Sequence, residues 1–350
     1  MKGTVNEKGP ESDVVISSRV RLARNLKDYP FPFKMNKEQQ NEVLNIIKDS
    51  VLNDNDPLLK DIKYYGISSL NPVERQALVE KHLISRELAE SQKESGILLS
   101  SGEKVCIMIN EEDHLRLQCI FPGMQIDKAW DLCNSMDSML EKKVKFAFDD
   151  HYGYLTCCPT NLGTGIRASA MIHLPALVMT GYIKGVLDAC GKLGVAVRGR
   201  YGENSEASGN IFQISNQMTL GLTEEEIITH ITNVTFQIIE QERALRNELY
   251  KQNPIRFEDK VFRSLGVFSN ARTISTEESL KLLSDVRLGV DMGIIKNISM
   301  DTLNEIMLLI QPANLQKYAR KLLNPAERDV MRAEVIRLKL SQNGQPTKGD

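Results

Sequence analysis

The chain has 350 residues, of which 41% are hydrophobic and 26% are charged, and its formal net charge is −2. This length suffices for a large core and predicts two units. The near-neutral charge argues against a polyanion-binding surface over the whole protein, and so against direct nucleic-acid binding, and no apolar run reaches the roughly 18 residues of a membrane span.

The cysteines and the N-terminal residues bear on where the protein works. None of the six cysteines belongs to a Cys-x-x-Cys pair, which disfavours a zinc or redox motif, and several lie in apolar runs typical of buried thiols. The first ten residues lack the apolar core of a secretory signal peptide. We therefore expect reduced thiols and a cytoplasmic location.

The first predicted strand carries two arginines on one face. Residues 13–25 are extended in character, and Arg19 and Arg21 are two positions apart. On a strand both side chains point to the same side, and two guanidinium groups on one face suit a triphosphate. A solvated basic strand is the alternative.

Two helices are predicted next from their capping residues. Asn36 is expected to cap a helix that runs to about Val51, and Asn71 followed by Pro72 starts a second one. The second helix is expected to carry His82. A single helical histidine is more often structural, and that is the default interpretation of His82.

Short runs rich in Val, Ile and Leu at 97–99, 105–109 and 115–121 predict strands with an acidic junction. Glu111, Glu112 and Asp113 lie between the last two runs, where three carboxylates repel one another. A solvated acidic turn is one interpretation. A cationic ligand is the other, either a guanidinium held by paired hydrogen bonds or Mg²⁺.

The segment 156–170 places a thiol, two glycines and an arginine close together. Cys158 can form a thiolate, which is both a nucleophile and an anion. Gly163 and Gly165 leave room for a ligand to approach, and Arg167 suits phosphate oxygens. The alternative is a turn with a buried cysteine, followed by a helix.

The remaining elements precede a change in composition after residue 253. They are a helix at about 126–143, a hairpin of 144–148 with 152–157, and a helical pattern from Ala168 to Lys192. Strands at 195–198 and 210–214 follow, and then a helix at 224–251 with a capping box of Thr223 and Glu226. The glycine-rich loop 199–209 either closes over a ligand or is a long surface hairpin. Residues 255–340 show only helical patterns, so the predicted fold is α+β followed by an all-α part. The predicted domains are 1–253 and 254–340, with a disordered tail at 341–350.

Three segments together resemble the signatures of the phosphagen (ATP:guanido) kinases. They are Ser-Ser-Arg-Val-Arg at 17–21, Asn-Glu-Glu-Asp-His-Leu-Arg at 110–116, and Cys-Pro-Thr-Asn-Leu-Gly-Thr at 158–164 with Arg167. The resemblance extends from about residue 13 to 253, and its acidic and cysteine motifs are long and specific. It implies an antiparallel β-sheet flanked by helices, with ATP and Mg²⁺ as cofactors.

The resemblance also implies which residues bind the nucleotide and which act in catalysis. The implied ATP-binding residues are Ser17, Ser18, Arg19, Val20, Arg21, His82, Arg116, Arg167, Ala168, Ser169, Ala170, Met171, Arg198, Gly199, Arg200, Tyr201, Gly202 and Glu203. Glu112 would take the proton that the substrate guanidinium loses. Cys158, as a thiolate, would steer the attacking guanidinium nitrogen. A second carboxylate would be Glu203 or Glu206, a choice that the sequence leaves open.

The chain departs from the small-molecule members of this family. The arginine strand lies near the first residues of the sequence, so we expect the separate helical domain of those enzymes to be missing, and Tyr201 stands where the family usually carries an arginine before Gly-Glu. It adds C-terminal helices with Arg328-Asp-Val-Met-Arg-Ala333, which resembles a phosphoarginine-binding motif of bacterial protein arginine kinases. In that motif Arg328, Asp329, Arg332 and Ala333 would hold phosphoarginine; two arginines on one helix surface are the ordinary alternative.

The resemblance to the protein arginine kinases implies partners as well as chemistry. Protein-bound arginine is the expected acceptor, with the class III heat-shock repressor, a zinc-binding activator protein and a Clp ATPase as further partners. The apolar C-terminal helices would suit a homodimer. Two rival hypotheses are a kinase for free arginine or another small guanidine, and a non-catalytic adaptor that retains the fold.

Overall fold

A computed structural model describes residues 8–53, 56–199 and 208–342, and it has the predicted α+β class. Its main sheet has eight strands in the order β2-β3-β4-β5-β1-β8-β10-β9, and neighbouring strands are antiparallel throughout. These strands are β1 (Val15–Arg24), β2 (Ile62–Gly66), β3 (Gly96–Ser100), β4 (Val105–Ile109), β5 (Leu115–Pro122), β8 (Ile166–His173), β9 (Val195–Gly199) and β10 (Ile211–Asn216). A separate small hairpin pairs β6 (Phe148–Asp149) with β7 (Gly153–Tyr154).

Twelve helices accompany the strands in the described ranges. Those up to residue 253 are α1 (Lys37–Leu52), α2 (Pro72–Glu80), α3 (Arg86–Ala89), α4 (Ile126–Glu141), α5 (Pro175–Met179), α6 (Ile183–Lys192) and α7 (Glu224–Gln252). The C-terminal helices are α8 (Pro254–Asn270), α9 (Thr276–Asp291), α10 (Met300–Leu309), α11 (Pro312–Ala319) and α12 (Pro325–Gln342). The N-caps expected at Asn36 and Asn71 and the capping box expected at Thr223 are confirmed, because each side chain accepts from the backbone three residues on; Asn36 and Asn71 also form capping boxes.

One face of the sheet is an apolar core. Residues that pair directly across antiparallel strands share a face, and Leu22, Leu117 and Ile166 lie together in this way. All three are fully buried in a cluster that also contains residues of α1, α4 and α7. This packing directs the alternate residues of the same strands, including Arg19 and Arg21 of β1, to the opposite face.

The opposite face is covered at its two ends and left polar in the middle. Met171 and Ile211 belong to a core built mainly from the C-terminal helices. At the other end Met108 packs in a smaller cluster with residues of α2 and α3. These two covers meet where α11 contacts α2. The assignment of 1–253 and 254–340 to separate domains stays a prediction, and the sheet shares a core with the later helices.

Three sequence predictions of local structure were wrong. The segment from Ala168 is not helical at first, because it belongs to the central strand β8, and the helices α5 and α6 begin only at Pro175 and Ile183. The hairpin after α4 is shorter than predicted. His82 lies beyond the end of α2 in a left-handed backbone conformation with φ 58°.

Candidate active site

Arginines from four strands line a cleft of about 940 Å³ in the polar middle of the sheet. Arg21 pairs directly with Arg167 on β8, and Arg116 pairs with Ala23, one further position along the same face of β1. Arg19 and Arg198 complete the group from β1 and β9. The strand register therefore brings together five arginines that are up to 179 positions apart in the sequence.

The positive charges of these arginines repel one another, which contributes to lowering the pKa values of Arg19 and Arg21. Burial, followed by the charges of Arg167 and Arg116, lowers the pKa of Arg19 to about 10. Burial and the same neighbouring cations, Arg19 included, lower the pKa of Arg21 well below its ordinary value, against the weaker opposing effect of Glu111. Such shifts mean that nearby negative charge does not offset burial and cation repulsion at Arg19 and Arg21, and a bound polyanion would do so.

The acidic motif divides into residues that face the cleft and residues that hold the backbone. Glu111 and Glu112 line the cleft, and both pair with Arg116, at 2.8 and 2.7 Å. Glu112 is 42% exposed, whereas Glu111 is almost completely buried. Burial raises the pKa of Glu112, although Arg116 lowers it, and a raised pKa makes this carboxylate a better proton acceptor.

Asp113 connects the acidic motif to the cysteine motif, a role that the sequence did not reveal. Its buried carboxylate accepts hydrogen bonds from the Asn25 side chain and from the Cys157 backbone N–H, each at 2.7 Å. Asp113 therefore does not grip a ligand, contrary to the interpretation of three carboxylates facing a cation. Burial raises the pKa of the Cys157 thiol, and the Asp113 charge adds to that effect, so Cys157 stays protonated.

Cys158 opens onto the cleft from a loop that packs tightly on its neighbours. Its Sγ lies 3.0 Å from the Thr160 hydroxyl, and Thr160 also lines the cleft. The Thr219 hydroxyl donates to the carbonyls of Thr160 and Leu162 and fixes the loop. Gly163 has φ 104°, and a Cβ there would lie 2.4 Å from the Thr219 carbonyl oxygen. The sequence predicted that Gly163 leaves room for a ligand. The structure shows instead that its missing side chain allows close backbone packing against Thr219.

His82 lines the nucleotide-sized cleft even though it is not helical. Its carbonyl accepts from the Gln118 side-chain amide at 3.0 Å, and Gln118 lies on β5 among the cleft residues. The wall beyond it is formed by residues that the sequence did not single out, among them Glu87 and Lys93. Neither has a recognisable motif around it.

Several predicted nucleotide-binding side chains lie elsewhere. Val20, Ala168 and Ala170 are in the apolar core because successive residues of a strand face opposite sides, whereas Met171 shares the face of Arg167 and is covered there by the C-terminal helices. The buried Ser18 hydroxyl donates to the Gly123 carbonyl, and that of Ser169 to the Arg19 carbonyl. Ser17 and Gly199 are not among the described residues that line the cleft. Arg200, Tyr201, Gly202, Glu203 and Glu206 lie outside the described residues.

The proposed phosphoarginine motif spans the surface and the core of the C-terminal helices. Arg332 is 1% exposed and donates to the carbonyls of Ile310 and Ile274 and to Asp329. Ala333 is buried as well, whereas Arg328 and Asp329 are half-buried. The alternative interpretation, in which both arginines lie on the helix surface, is therefore wrong, because Arg332 is buried.

The described residues also bear on metals and membranes. They contain no group of three or more His, Cys, Asp or Glu side chains arranged to hold a metal ion. Across the same ranges, every helix is too short or too polar for a bilayer span.

The architecture is that of known guanidino kinases. A lombricine kinase structure matches with a TM-score of 0.61 at 24% identity, over 70% of each chain. A duplicated taurocyamine kinase from Schistosoma mansoni with bound transition-state analogue components matches with a TM-score of 0.60 at 27% identity, over 76% of this chain and 38% of that one. A family model described as ATP:guanido phosphotransferase, C-terminal catalytic domain, matches residues 42–245. Fold and cleft thus define a guanidino phosphotransferase.

A second family model and relatives that align over nearly their whole length identify the group within this class. A second family model, the protein-arginine kinase McsB C-terminal domain, matches residues 254–349. Protein-arginine kinases of Bacillus subtilis and Halothermothrix orenii are 49% and 51% identical to the chain, over 97% and 95% of it and 94% and 95% of their own lengths. The chain belongs to the protein-arginine kinases of the ATP:guanido phosphotransferase family.

Proposed function

We propose that this protein transfers the γ-phosphoryl group of ATP to the guanidinium group of arginine residues in proteins. The observation that carries the proposal is the shared cleft, which five arginines line together with Glu112 and Cys158. Phosphoryl transfer requires mainly positioning and charge neutralisation, and cations on one side with an anionic acceptor site on the other supply both.

The phosphate side of the reaction falls to the arginines. Arg19, Arg21 and Arg167 would surround the triphosphate, and the lowered pKa values of the first two return toward normal when anionic oxygens approach. Arg116 and Arg198 would contact the same group from either side of β1 and β8. Mg²⁺ bound with the nucleotide would neutralise part of the phosphate charge in the same cleft.

The acceptor side needs a base, because a guanidinium has a pKa above 12 and its nitrogen must lose a proton as it attacks. Glu112 would accept two N–H groups and take this proton as the N–P bond forms and the bond from the γ-phosphorus to the ADP oxygen breaks. Its raised pKa favours that role. Cys158 as a thiolate would orient the planar group electrostatically. Glu203 or Glu206 is proposed as the second carboxylate, with both outside the described residues.

Protein arginine is favoured over free arginine as the acceptor by the C-terminal helices. They match a domain named for protein-arginine kinases, and the relatives with that name align over nearly the whole chain. We propose that Arg328 and Asp329 bind phosphoarginine there, with the buried Arg332 and Ala333 supporting them from below. A cytoplasmic homodimer, the class III heat-shock repressor as substrate, a zinc-binding activator and degradation by a Clp protease are proposed from the family resemblance alone.

The test is phosphorylation with ATP and Mg²⁺ of an unfolded arginine-containing protein and of free arginine, in parallel. Acid-labile phosphate on protein arginine, found by peptide mapping, is the expected result. Phosphorylation of free arginine alone would instead identify a small-guanidine kinase. A Cys158→Ala variant that lost transfer but kept every effect on partners would point to an adaptor.

A further inference from the structure

Glu80 is a buried carboxylate that joins the C-terminal helices to the wall of the cleft. It is the last residue of α2 and is 4% exposed. One carboxylate oxygen accepts from the Ala313 N–H at 2.8 Å; the other accepts from the Asn314 N–H at 2.9 Å and from the Asn314 side-chain amide at 2.8 Å. Ala313 and Asn314 are in the first turn of α11, where backbone donors have no partner within the helix and where an anion is favoured.

The residue that Glu80 holds in place lies two positions further along the chain. His82 takes φ 58°, a conformation that a non-glycine residue keeps only when its surroundings enforce it. From the sheet side, Gln118 holds the turn through hydrogen bonds to the His82 and Leu83 carbonyls. From the other side, the turn continues directly from the Glu80 contact with α11. His82 faces the cleft between these two supports.

The start of α11 is itself held by α12. The Arg332 guanidinium donates at 2.8 Å to the Ile310 carbonyl, two residues before Pro312. Burial lowers the pKa of Arg332, and the Asp329 and Glu80 carboxylates oppose that effect. Arg332, the α11 start, Glu80 and the His82 turn therefore form one continuous packed connection from α12 to the cleft.

We propose that Glu80 is a positioning residue for nucleotide binding: by anchoring α11 it fixes the His82 turn, so that ATP affinity depends on the docked C-terminal helices. The inference rests on the proposed role of the cleft in binding ATP. It does not depend on which guanidine compound is the acceptor. Only a carboxylate provides acceptors for three N–H donors here, since an amide would turn its own donors toward them.

The experiment measures ATP binding to the full chain by titration calorimetry, without an acceptor. Glu80→Gln is expected to raise the Kd for ATP about tenfold. Asn71→Ala is the matched control, because it removes the cap at the other end of α2 and Asn71 is not among the residues that line the cleft. Its Kd is expected to stay within about twofold of wild type. An equal loss of affinity in both variants would mean general loosening of α2 and would overturn the proposal.

A double-mutant cycle tests whether Glu80 acts through His82. In a His82→Ala background, Glu80→Gln is expected to change the Kd by less than about twofold. A full tenfold effect in that background would overturn the proposal. Should Glu80→Gln fail to fold, Asn314→Ala removes one of the three contacts and is expected to shift the Kd the same way by a smaller factor; an unchanged Kd there would count against it. If the wild-type chain itself bound no ATP, the proposed function would fail first.

Discussion

The sharpest consequence of the site concerns Glu112 and its neighbour Glu111, which share Arg116. Glu112→Gln keeps the size of the side chain and removes its charge and its basicity. Loss of a general base costs about 10²- to 10⁴-fold in rate, equivalent to about 2.7–5.5 kcal/mol of transition-state stabilisation. We therefore expect kcat for arginine phosphorylation to fall by that factor.

Nucleotide binding should respond in the opposite direction, because Glu112 competes with phosphate for Arg116 at 2.7 Å. The pair is partly exposed, and such pairs contribute about 0.2–1 kcal/mol. ATP should thus bind equally well or up to about fivefold more tightly in Glu112→Gln. The assay combines single-turnover phosphorylation of an unfolded protein with calorimetric titration of ATP.

Glu111→Ala is the matched control. Glu111 is buried and orients Arg116 from the protein side. Its loss is expected to weaken ATP binding, because Arg116 is no longer aimed at the phosphates. A Glu112→Gln variant with kcat within about threefold of wild type would refute the role of this carboxylate as the base. A more than tenfold loss of ATP affinity in the same variant would refute the division of labour between the two glutamates.

Three further predictions separate structural from functional roles. Asp113→Asn should lower the free energy of unfolding by about 1–3 kcal/mol in urea titrations and reduce kcat, because two buried hydrogen bonds that position the Cys158 loop lose their charge. Arg332→Ala should lower stability by about 3 kcal/mol, whereas Arg328→Ala should leave it within about 0.5 kcal/mol and abolish phosphoarginine binding in calorimetry. His173 is fully buried, and burial lowers its pKa well below 6.5, so the unfolded chain binds the proton more readily. Stability should therefore fall below pH 6.5 by up to about 1.4 kcal/mol per pH unit, and His173→Gln should remove that component of the slope.

Each of these predictions has its own contrary outcome. Wild-type kcat in Asp113→Asn would show that the Cys158 loop does not need this anchor. Intact phosphoarginine affinity in Arg328→Ala would remove the proposed pocket from that residue. An unchanged pH slope in His173→Gln would mean that its burial does not suppress protonation.

Local patterns in the chain were sufficient for the capped helices and the hydrophobic strands. Each N-cap side chain, at Asn36, Asn71 and Thr223, bonds to a residue only three positions away. Contacts over so short a distance can be predicted from the sequence. Arg19 and Arg21 were assigned to one face by strand alternation alone, and they do line one cleft. The family motifs then brought the acidic and cysteine segments into the same hypothesis.

Strand β8 shows where local reasoning failed. Its sequence Arg-Ala-Ser-Ala-Met contains alanines, which favour helices. In the structure the segment lies between β1 and β10, and its alternate residues fill the apolar core. Strand preference depends on what packs on each face, and a single segment cannot reveal that.

The partners of buried charges were equally hidden from the sequence. Asp113 binds groups 88 and 44 positions away, and Glu80 binds the start of a helix more than 230 positions away. A carboxylate that looks solvated in the chain becomes a structural anchor once the fold supplies donors and excludes water. The residue types and motifs thus established the chemistry, whereas the tertiary structure alone decided which charges face the cleft and which hold it together, because that choice depends on donors and acceptors remote in sequence.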